Sequence, residues 1–196
     1  AHGILLIFDE VITGFGRTGS AFGATTFGVT PDMITLAKGI TNGAVPMGAV
    51  CVARSLHDTV IDRAQPGIEF FHGYTYSGHP LAAAAGIATL AIYDREGLFA
   101  RAAAMAPVLE HAVHALRGAP HVIDVRNIGM VGAIELAPRD GAPGARANEV
   151  FLRCFREGVL VRQTGETIAL APPLIATDAE LRRLTDTIRD ALSDVS

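Results

Sequence analysis

The order of hydrophobic and polar positions first indicates a sheet. Residues 4–8 form a continuous apolar run that ends in Asp9 and Glu10, and residues 33–37 and 48–53 form similar runs. Continuous apolar runs are typical of strands that are buried on both faces of a parallel sheet. Because glycine-rich connections and helices follow these runs, the pattern predicts the later part of an α/β sheet.

The next pattern is helical. The run that starts at Pro80 is apolar on all sides and stops at Gly97, so it predicts a buried helix. A second helix is predicted from apolar residues at helical spacing: Leu98, Ala102, Met105, Leu109 and Leu116.

From Val122 the pattern changes to short strands mixed with helices. The last predicted helix begins with a capping box formed by Thr177 and Glu180. The other predicted elements are strands at 122–125, 130–136, 159–162 and 167–170 and a helix at 148–157. We therefore predict an α/β domain over residues 1–96 and a small α+β domain over residues 97–196.

Composition and charge narrow the function classes. The 49% hydrophobic and 18% charged residues indicate a globular protein with a substantial core. A net charge of -4 and scattered arginines argue against nucleic acid as a partner. The longest apolar stretch, residues 81–92, is too short to cross a bilayer, so we expect no membrane contact.

Cysteine and histidine usage adds two expectations. Cys51 and Cys154 form no CxxC pair and lie in apolar stretches, so we expect reduced core thiols in a cytoplasmic protein. His111 and His114 share a helix but lack a clear third ligand, so no metal site is predicted.

Lys38 is the only lysine among 16 basic Lys and Arg residues. An arginine cannot be deprotonated in a protein, whereas a desolvated lysine can lose its proton and condense with a carbonyl group. One surface lysine kept by chance is the simpler alternative. Its position at the end of an apolar run argues against that alternative, because a buried element is an expensive place for an idle charge.

Asp9 ends one predicted strand and Lys38 follows another, and ligands collect at the carboxyl ends of such strands. An amine together with an acid is what pyridoxal phosphate needs. The amine binds its aldehyde, and the carboxylate keeps its pyridine nitrogen protonated so that the ring accepts electrons. Without Lys38, Asp9 would be interpreted as an acid in a turn at the end of a strand.

Residues 14–19 match the nucleotide-binding pattern G-x-G-x-x-G. That pattern requires a helix to open at the glycines, but residues 20–31 show no helical period. We therefore interpret this loop as a wall of the site and not as a dinucleotide site.

These motifs resemble a known family. Residues 8–19, and Ala37-Lys38-Gly39 after Thr30-Pro31-Asp32, resemble the signature of class III (subgroup II) pyridoxal-phosphate aminotransferases of fold type I. Residues 72–80 and the segment 122–141 most resemble the ω-amino acid:pyruvate (β-alanine:pyruvate) aminotransferases. The resemblance implies that the chain is the C-terminal part of such an enzyme, with the end of the large-domain sheet followed by the small domain.

The resemblance also implies roles for five residues. Lys38 would bind the cofactor aldehyde, Asp9 would pair with the pyridine nitrogen, and Val11 would lie against one ring face. Thr75 would donate its hydroxyl to the cofactor phosphate across a subunit interface of a homodimer or higher oligomer, and Arg162 would pair with the substrate carboxylate. The implied substrates are a small amine and pyruvate.

Part of the implied cofactor site has no counterpart in the sequence. No segment supplies the family's Gly/Ser-rich phosphate turn or the aromatic residue that stacks on the other ring face. We therefore expect the isolated chain to be inactive. Two alternatives stay open: another class III activity, such as ornithine or 4-aminobutyrate transamination or aminomutase chemistry, and a non-catalytic binding or assembly module that keeps the fold.

Overall fold

The computed structural model describes residues 2–64 and 72–196. The chain forms two compact units. The first unit comprises Ala1–Phe15 and Ala21–Phe99, and the second comprises Gly16–Ser20 and Ala100–Ser196. The sequence predicts a single boundary, between residues 96 and 97, and does not predict that the short loop belongs with the second unit.

The first unit contains a three-stranded sheet in the order β1-β2-β3. β1 and β2 are parallel, and Asp9 lies opposite Thr35 in the register. The strands are β1 (Ile7–Asp9), β2 (Met33–Leu36) and β3 (Ala49–Val52), and the helices are α1 (Gly23–Thr26), α2 (Arg54–Asp62) and α3 (Pro80–Arg95). Pro80 opens α3 and Gly97 follows its end, as predicted.

The parallel prediction is correct for β1 and β2 but wrong for β3, which runs antiparallel to β2. The connection lengths explain the difference. The 23 residues between β1 and β2 allow the chain to cross over and return in the same direction. Only residues 37–48 join β2 to β3, and their one regular element is a 3-10 turn, so the chain reverses direction instead.

The predicted burial of this unit is also wrong. Ile4 is 84% exposed, Ile7 and Val50 are more than half exposed, and α3 exposes Leu81 and Ile87. A continuous apolar run shows that both faces of a strand can be buried. The described residues of this unit do not supply two layers that would cover such a short sheet, so much of this apolar surface stays accessible.

The two cysteines differ for the same reason. Cys51 lies on β3 and is exposed, so its assignment as a core thiol is wrong. Cys154 is buried as expected, and burial raises the pKa of its thiol to about 11. It therefore stays protonated at neutral pH.

The second unit contains a four-stranded antiparallel sheet in the order β4-β5-β7-β6. The strands are β4 (Val122–Ile128), β5 (Val131–Leu136), β6 (Arg162–Thr164) and β7 (Thr167–Leu170). The helices are α4 (Leu98–His114), whose first two residues belong to the first unit, α5 (Ala145–Arg156) and α6 (Asp178–Asp194). The capping box of Thr177 and Glu180 is present as predicted, whereas the third strand begins at Arg162 and not at Val159.

One hydrophobic cluster fills the second unit. Its fully buried side chains come from α4, β5, α5, β7 and α6: Leu109, Val113, Ile134, Val150, Ile168, Ile188 and Leu192 are among them. Helix α6 contributes one apolar face of its amphipathic pattern to this core. No helix in the described part of the chain is long and apolar enough to span a membrane.

The loop Gly16–Ser20 packs within the second unit. The backbone N–H of Met130 donates to the carbonyl of Arg17 at 2.8 Å. The Arg17 guanidinium donates in turn to the carbonyls of Met130, at 3.0 Å, and Pro172, at 2.6 Å. Gly129 has a φ of 52°, and a Cβ there would lie 2.2 Å from the Thr18 carbonyl carbon, so only glycine fits against this loop.

Candidate active site

Asp9 is the last residue of β1, and its carboxylate has a fixed orientation. Its Oδ1 atom accepts hydrogen bonds from the Val11 backbone N–H and the Thr35 hydroxyl, each at 3.1 Å. The register places Thr35 directly opposite on β2, so adjacent strands determine this contact. Within the described residues Oδ2 accepts no hydrogen bond, which leaves one oxygen for a protonated nitrogen of a ligand.

Lys38 lies two residues after the end of β2, at the same sheet edge as Asp9 because the two strands are parallel. It is the first residue of a 3-10 turn, Lys38–Ile40, and its side chain is exposed. The sequence predicts a buried element here, but the residues of β2 are only half-buried. Among the described residues, the Lys38 carbonyl therefore has a hydrogen-bond partner, whereas the Lys38 amine has none.

Two further predicted residues lie in the first unit. Val11 is half-buried and contacts Asp9 through its backbone N–H, so the structure brings these two together. Thr75 lies in a separate exposed turn. That turn is closed by the Ser77 N–H, which donates to the Tyr74 carbonyl at 2.9 Å, and by the Tyr74 N–H, which donates to the Ser77 hydroxyl at 2.8 Å.

Arg162 lies in the second unit, at the start of the edge strand β6 and opposite Ala169. Its side chain is exposed, and no described carboxylate forms a salt bridge with it. Arg126 on β4 differs, because Asp124 and Glu135 both bind its guanidinium. The guanidinium of Arg162 is therefore accessible to a carboxylate ligand.

Glu10 was missed by the sequence reasoning, although it follows Asp9 directly. It is only 1% exposed, and its carboxylate accepts from the backbone N–H groups of Gly23, at 2.9 Å, and Ala24, at 2.7 Å. The Thr13 hydroxyl donates a further short hydrogen bond. A buried carboxylate with three donors connects the start of α1 to the residue that follows Asp9. The signal was an acid followed by a loop rich in glycine.

The arrangement fits pyridoxal phosphate at one end. A lysine amine at the sheet edge can bind an aldehyde, and an oriented carboxylate with one open oxygen can hold a protonated ring nitrogen. Both groups come from the carboxyl ends of adjacent parallel strands. The described residues therefore supply the chemistry that the ring and aldehyde of this cofactor require.

Comparison with known proteins agrees with this fit to pyridoxal phosphate. Residues 1–192 match the family model described as aminotransferase class-III. The chain is 58% identical to an omega-aminotransferase of Caulobacter vibrioides and 49% identical to a beta-alanine--pyruvate aminotransferase of Pseudomonas aeruginosa. These alignments cover 99% and 100% of the chain but only 44% of each relative.

Solved structures show a similar fold. An (S)-enantioselective omega-transaminase from Thermomicrobium roseum superposes with a TM-score of 0.90 at 39% identity. The superposition covers 98% of the chain and 44% of that structure. The chain thus spans less than half the length of the proteins it resembles.

Proposed function

Because the chain belongs to the class III aminotransferase family, we propose that it works within an enzyme that transfers an amino group from an ω-amino acid or amine, such as β-alanine, to pyruvate. The predicted fold, α/β of fold type I, and the predicted cofactor, pyridoxal 5'-phosphate, are confirmed. The observation that carries the proposal is the placement of Asp9 and Lys38 at one edge of the parallel pair β1 and β2.

When bound, pyridoxal phosphate supplies an aldehyde for amines and a ring that accepts the electrons released at the substrate carbon. The open oxygen of Asp9 would hold the proton on the pyridine nitrogen, while Thr35 and the Val11 N–H fix the carboxylate. The Lys38 amine would hold the cofactor through its aldehyde. The Lys38 Nζ would also act as the base that takes the proton from the amine-bearing carbon of the donor.

The other predicted residues would bind and orient the cofactor and the substrate. Val11 would lie against one face of the ring, and the Thr75 hydroxyl would donate to the cofactor phosphate of a partner subunit. Arg162 binds the carboxylate of pyruvate through two parallel N–H groups. Tyr74 and Tyr76 flank Thr75 and are largely exposed, which supports a homodimer with this turn at the subunit interface. We place the enzyme in the cytoplasm.

Covalent trapping tests the role of Lys38. The full-length enzyme that carries this chain is loaded with pyridoxal phosphate, reduced with borohydride and mapped by mass spectrometry. We expect the label on the peptide that contains Lys38. Lys38→Arg is the matched control, since it keeps the charge but cannot condense with an aldehyde. A label at another lysine in the wild-type enzyme would contradict the assignment.

Substrate choice is tested separately. With β-alanine as the donor, the formation of alanine from pyruvate is measured and, in parallel, the formation of glutamate from 2-oxoglutarate as the control acceptor. We expect faster turnover with pyruvate than with 2-oxoglutarate. Turnover with 2-oxoglutarate alone would move the enzyme to another activity of the same family and leave the role of Lys38 unchanged.

A further inference from the structure

The backbone of Lys38 has an unusual conformation. Its φ is 47°, in the left-handed region that costs free energy for any residue with a Cβ atom. Among the residues that the structure describes, two long turn contacts lie around it: the Thr41 N–H donates to the Lys38 carbonyl at 3.3 Å, and the Ile40 N–H donates to the Ala37 carbonyl at 3.2 Å. The neighbouring residue Gly39 has closer contacts.

The next residue, Gly39, is held from two sides. The hydroxyl of Tyr93 donates to the Gly39 carbonyl at 2.8 Å. On the other side the Phe15 side chain packs so closely that a Cβ at Gly39 would lie 2.7 Å from the Phe15 Cβ. The Gly39 Cα is the last atom of the planar peptide unit that begins at the Lys38 Cα, so holding Gly39 in place restricts the backbone of Lys38.

Tyr93 is itself held rigidly. It lies on α3 and is 8% exposed, and its ring stacks between Phe15, at 5.9 Å between centroids, and Phe99, at 5.1 Å. A ring packed on two sides leaves its hydroxyl little freedom. The hydrogen bond therefore connects α3 to the residue that follows Lys38, and its two ends are 54 positions apart in the sequence.

We propose that Tyr93 is a positioning residue for Lys38, which rests on the proposed function of Lys38. Its hydroxyl holds the Gly39 carbonyl and so keeps Lys38 in its left-handed conformation at the sheet edge. Tyr93 acts through the backbone and does not contact the reacting atoms. Its loss therefore slows the steps that need the Lys38 amine and leaves pyruvate binding unchanged.

The test uses Tyr93→Phe, which removes one oxygen and keeps the stacked ring, in the full-length enzyme. The matched control is Thr89→Val, which removes a hydroxyl on the same helix whose hydrogen bond, to the Ala85 carbonyl at 2.8 Å, stays within α3. Hydrogen exchange is measured on the cofactor-free protein for the peptide that contains residues 38–41. The single-turnover rate with β-alanine and the KM for pyruvate are measured on the loaded enzyme.

For Tyr93→Phe we expect exchange in that peptide to rise and the single-turnover rate to fall, each by about 2- to 10-fold, the worth of one neutral hydrogen bond. The KM for pyruvate should not change. Faster exchange with an unchanged single-turnover rate would mean a merely structural role and overturn the proposal. An unchanged exchange rate, or a change confined to KM, would overturn it as well.

A second substitution covers the case in which Tyr93→Phe does not fold. Site-specific 3-fluorotyrosine at position 93 makes the hydroxyl a stronger donor at almost the same size, so exchange at residues 38–41 should slow; an unchanged rate would overturn the proposal. Failure here is distinct from failure of the proposed function. If borohydride traps the cofactor on Lys38 in the wild type, the function stands whatever the Tyr93 variants show.

Discussion

The two units of the chain differ in how they are held together. The second unit has a continuous hydrophobic core in which residues such as Leu109, Ile134 and Ile188 are completely buried. The first unit leaves Ile4, Ile7 and many other large apolar side chains exposed. Hydrogen bonds of the buried Glu10 carboxylate connect its loop segments.

The proposed chemistry lies in the less buried unit. Asp9 and Lys38 belong to the first unit, whereas the second contributes only Arg162 among the predicted site residues. This difference shows that the burial of apolar surface and the placement of reactive groups depend on different features of the sequence. A cluster of apolar contacts stabilises the second unit, but register and turn geometry alone orient the carboxylate of Asp9.

The largest expected effect is on catalysis in the first unit. Asp9→Asn keeps the size of the side chain and removes its charge, so the protonated pyridine loses its partner. We expect kcat to fall by about 10- to 1000-fold, while the thermal midpoint changes little. Asp62→Asn on the exposed end of α2 is the control. A near-normal kcat with the cofactor bound would assign the ring nitrogen to another acid.

A pair of leucines tests the difference in packing directly. Leu109→Ala empties a fully buried position in the second unit and should lower the free energy of unfolding by about 2 to 5 kcal/mol. Leu81→Ala, at a side chain that is 68% exposed on α3, should change it by less than about 0.5 kcal/mol. Urea unfolding of the 196-residue chain measures both. Equal losses would mean that the first unit buries Leu81 in solution.

A smaller effect concerns the proposed role of Arg162 in binding pyruvate. Arg162→Ala should raise the KM for pyruvate by about 10- to 100-fold, because a charge-assisted contact with the carboxylate is lost. The KM for an uncharged amine donor should stay the same. Arg156→Ala at the end of α5 is the control. Equal changes for both substrates would leave Arg162 with a structural role only.

The smallest effect is a pH dependence in the second unit. Hydrogen bonds from Arg139 and Arg153 lower the pKa of Glu149 below its ordinary 4.5. A lowered pKa stabilises the folded state above 4.5, and this contribution disappears as the pH falls through the lowered value. Glu149→Gln should therefore cost less than about 1 kcal/mol at neutral pH, and the difference from wild type should shrink below pH 4.5. A difference that persists in acid would contradict the ion-pair explanation.

The sequence predicts elements whose signals are local. The capping box of Thr177 and the limits of α3 follow from residues within one or two turns, and both are confirmed. The direction of β3 and the exposure of β1 could not be predicted in this way. They depend on what covers a strand and how far the chain travels before it returns, which a short window of sequence does not contain.

The site shows the same division. Asp9 and Lys38 could be proposed because an acid and a single lysine end apolar runs. Thr35, Glu10 and Tyr93 could not, because their importance comes from partners at a distance: Thr35 contacts Asp9 from 26 residues away, and Tyr93 contacts Gly39 from 54 residues away. No motif records a hydrogen bond whose two ends are separated by most of a unit.

The loop Gly16–Ser20 has a consequence for building chimeric enzymes. A recombination point after Phe99 looks natural, but the module that begins there includes five residues from near the other end of the chain. Gly129 packs against Thr18, and the Met130 N–H donates to the Arg17 carbonyl. A transplanted C-terminal segment would therefore have to pack against a loop from a different protein. Exchange libraries should therefore move residues 16–20 together with residues 100–196 as one inherited block.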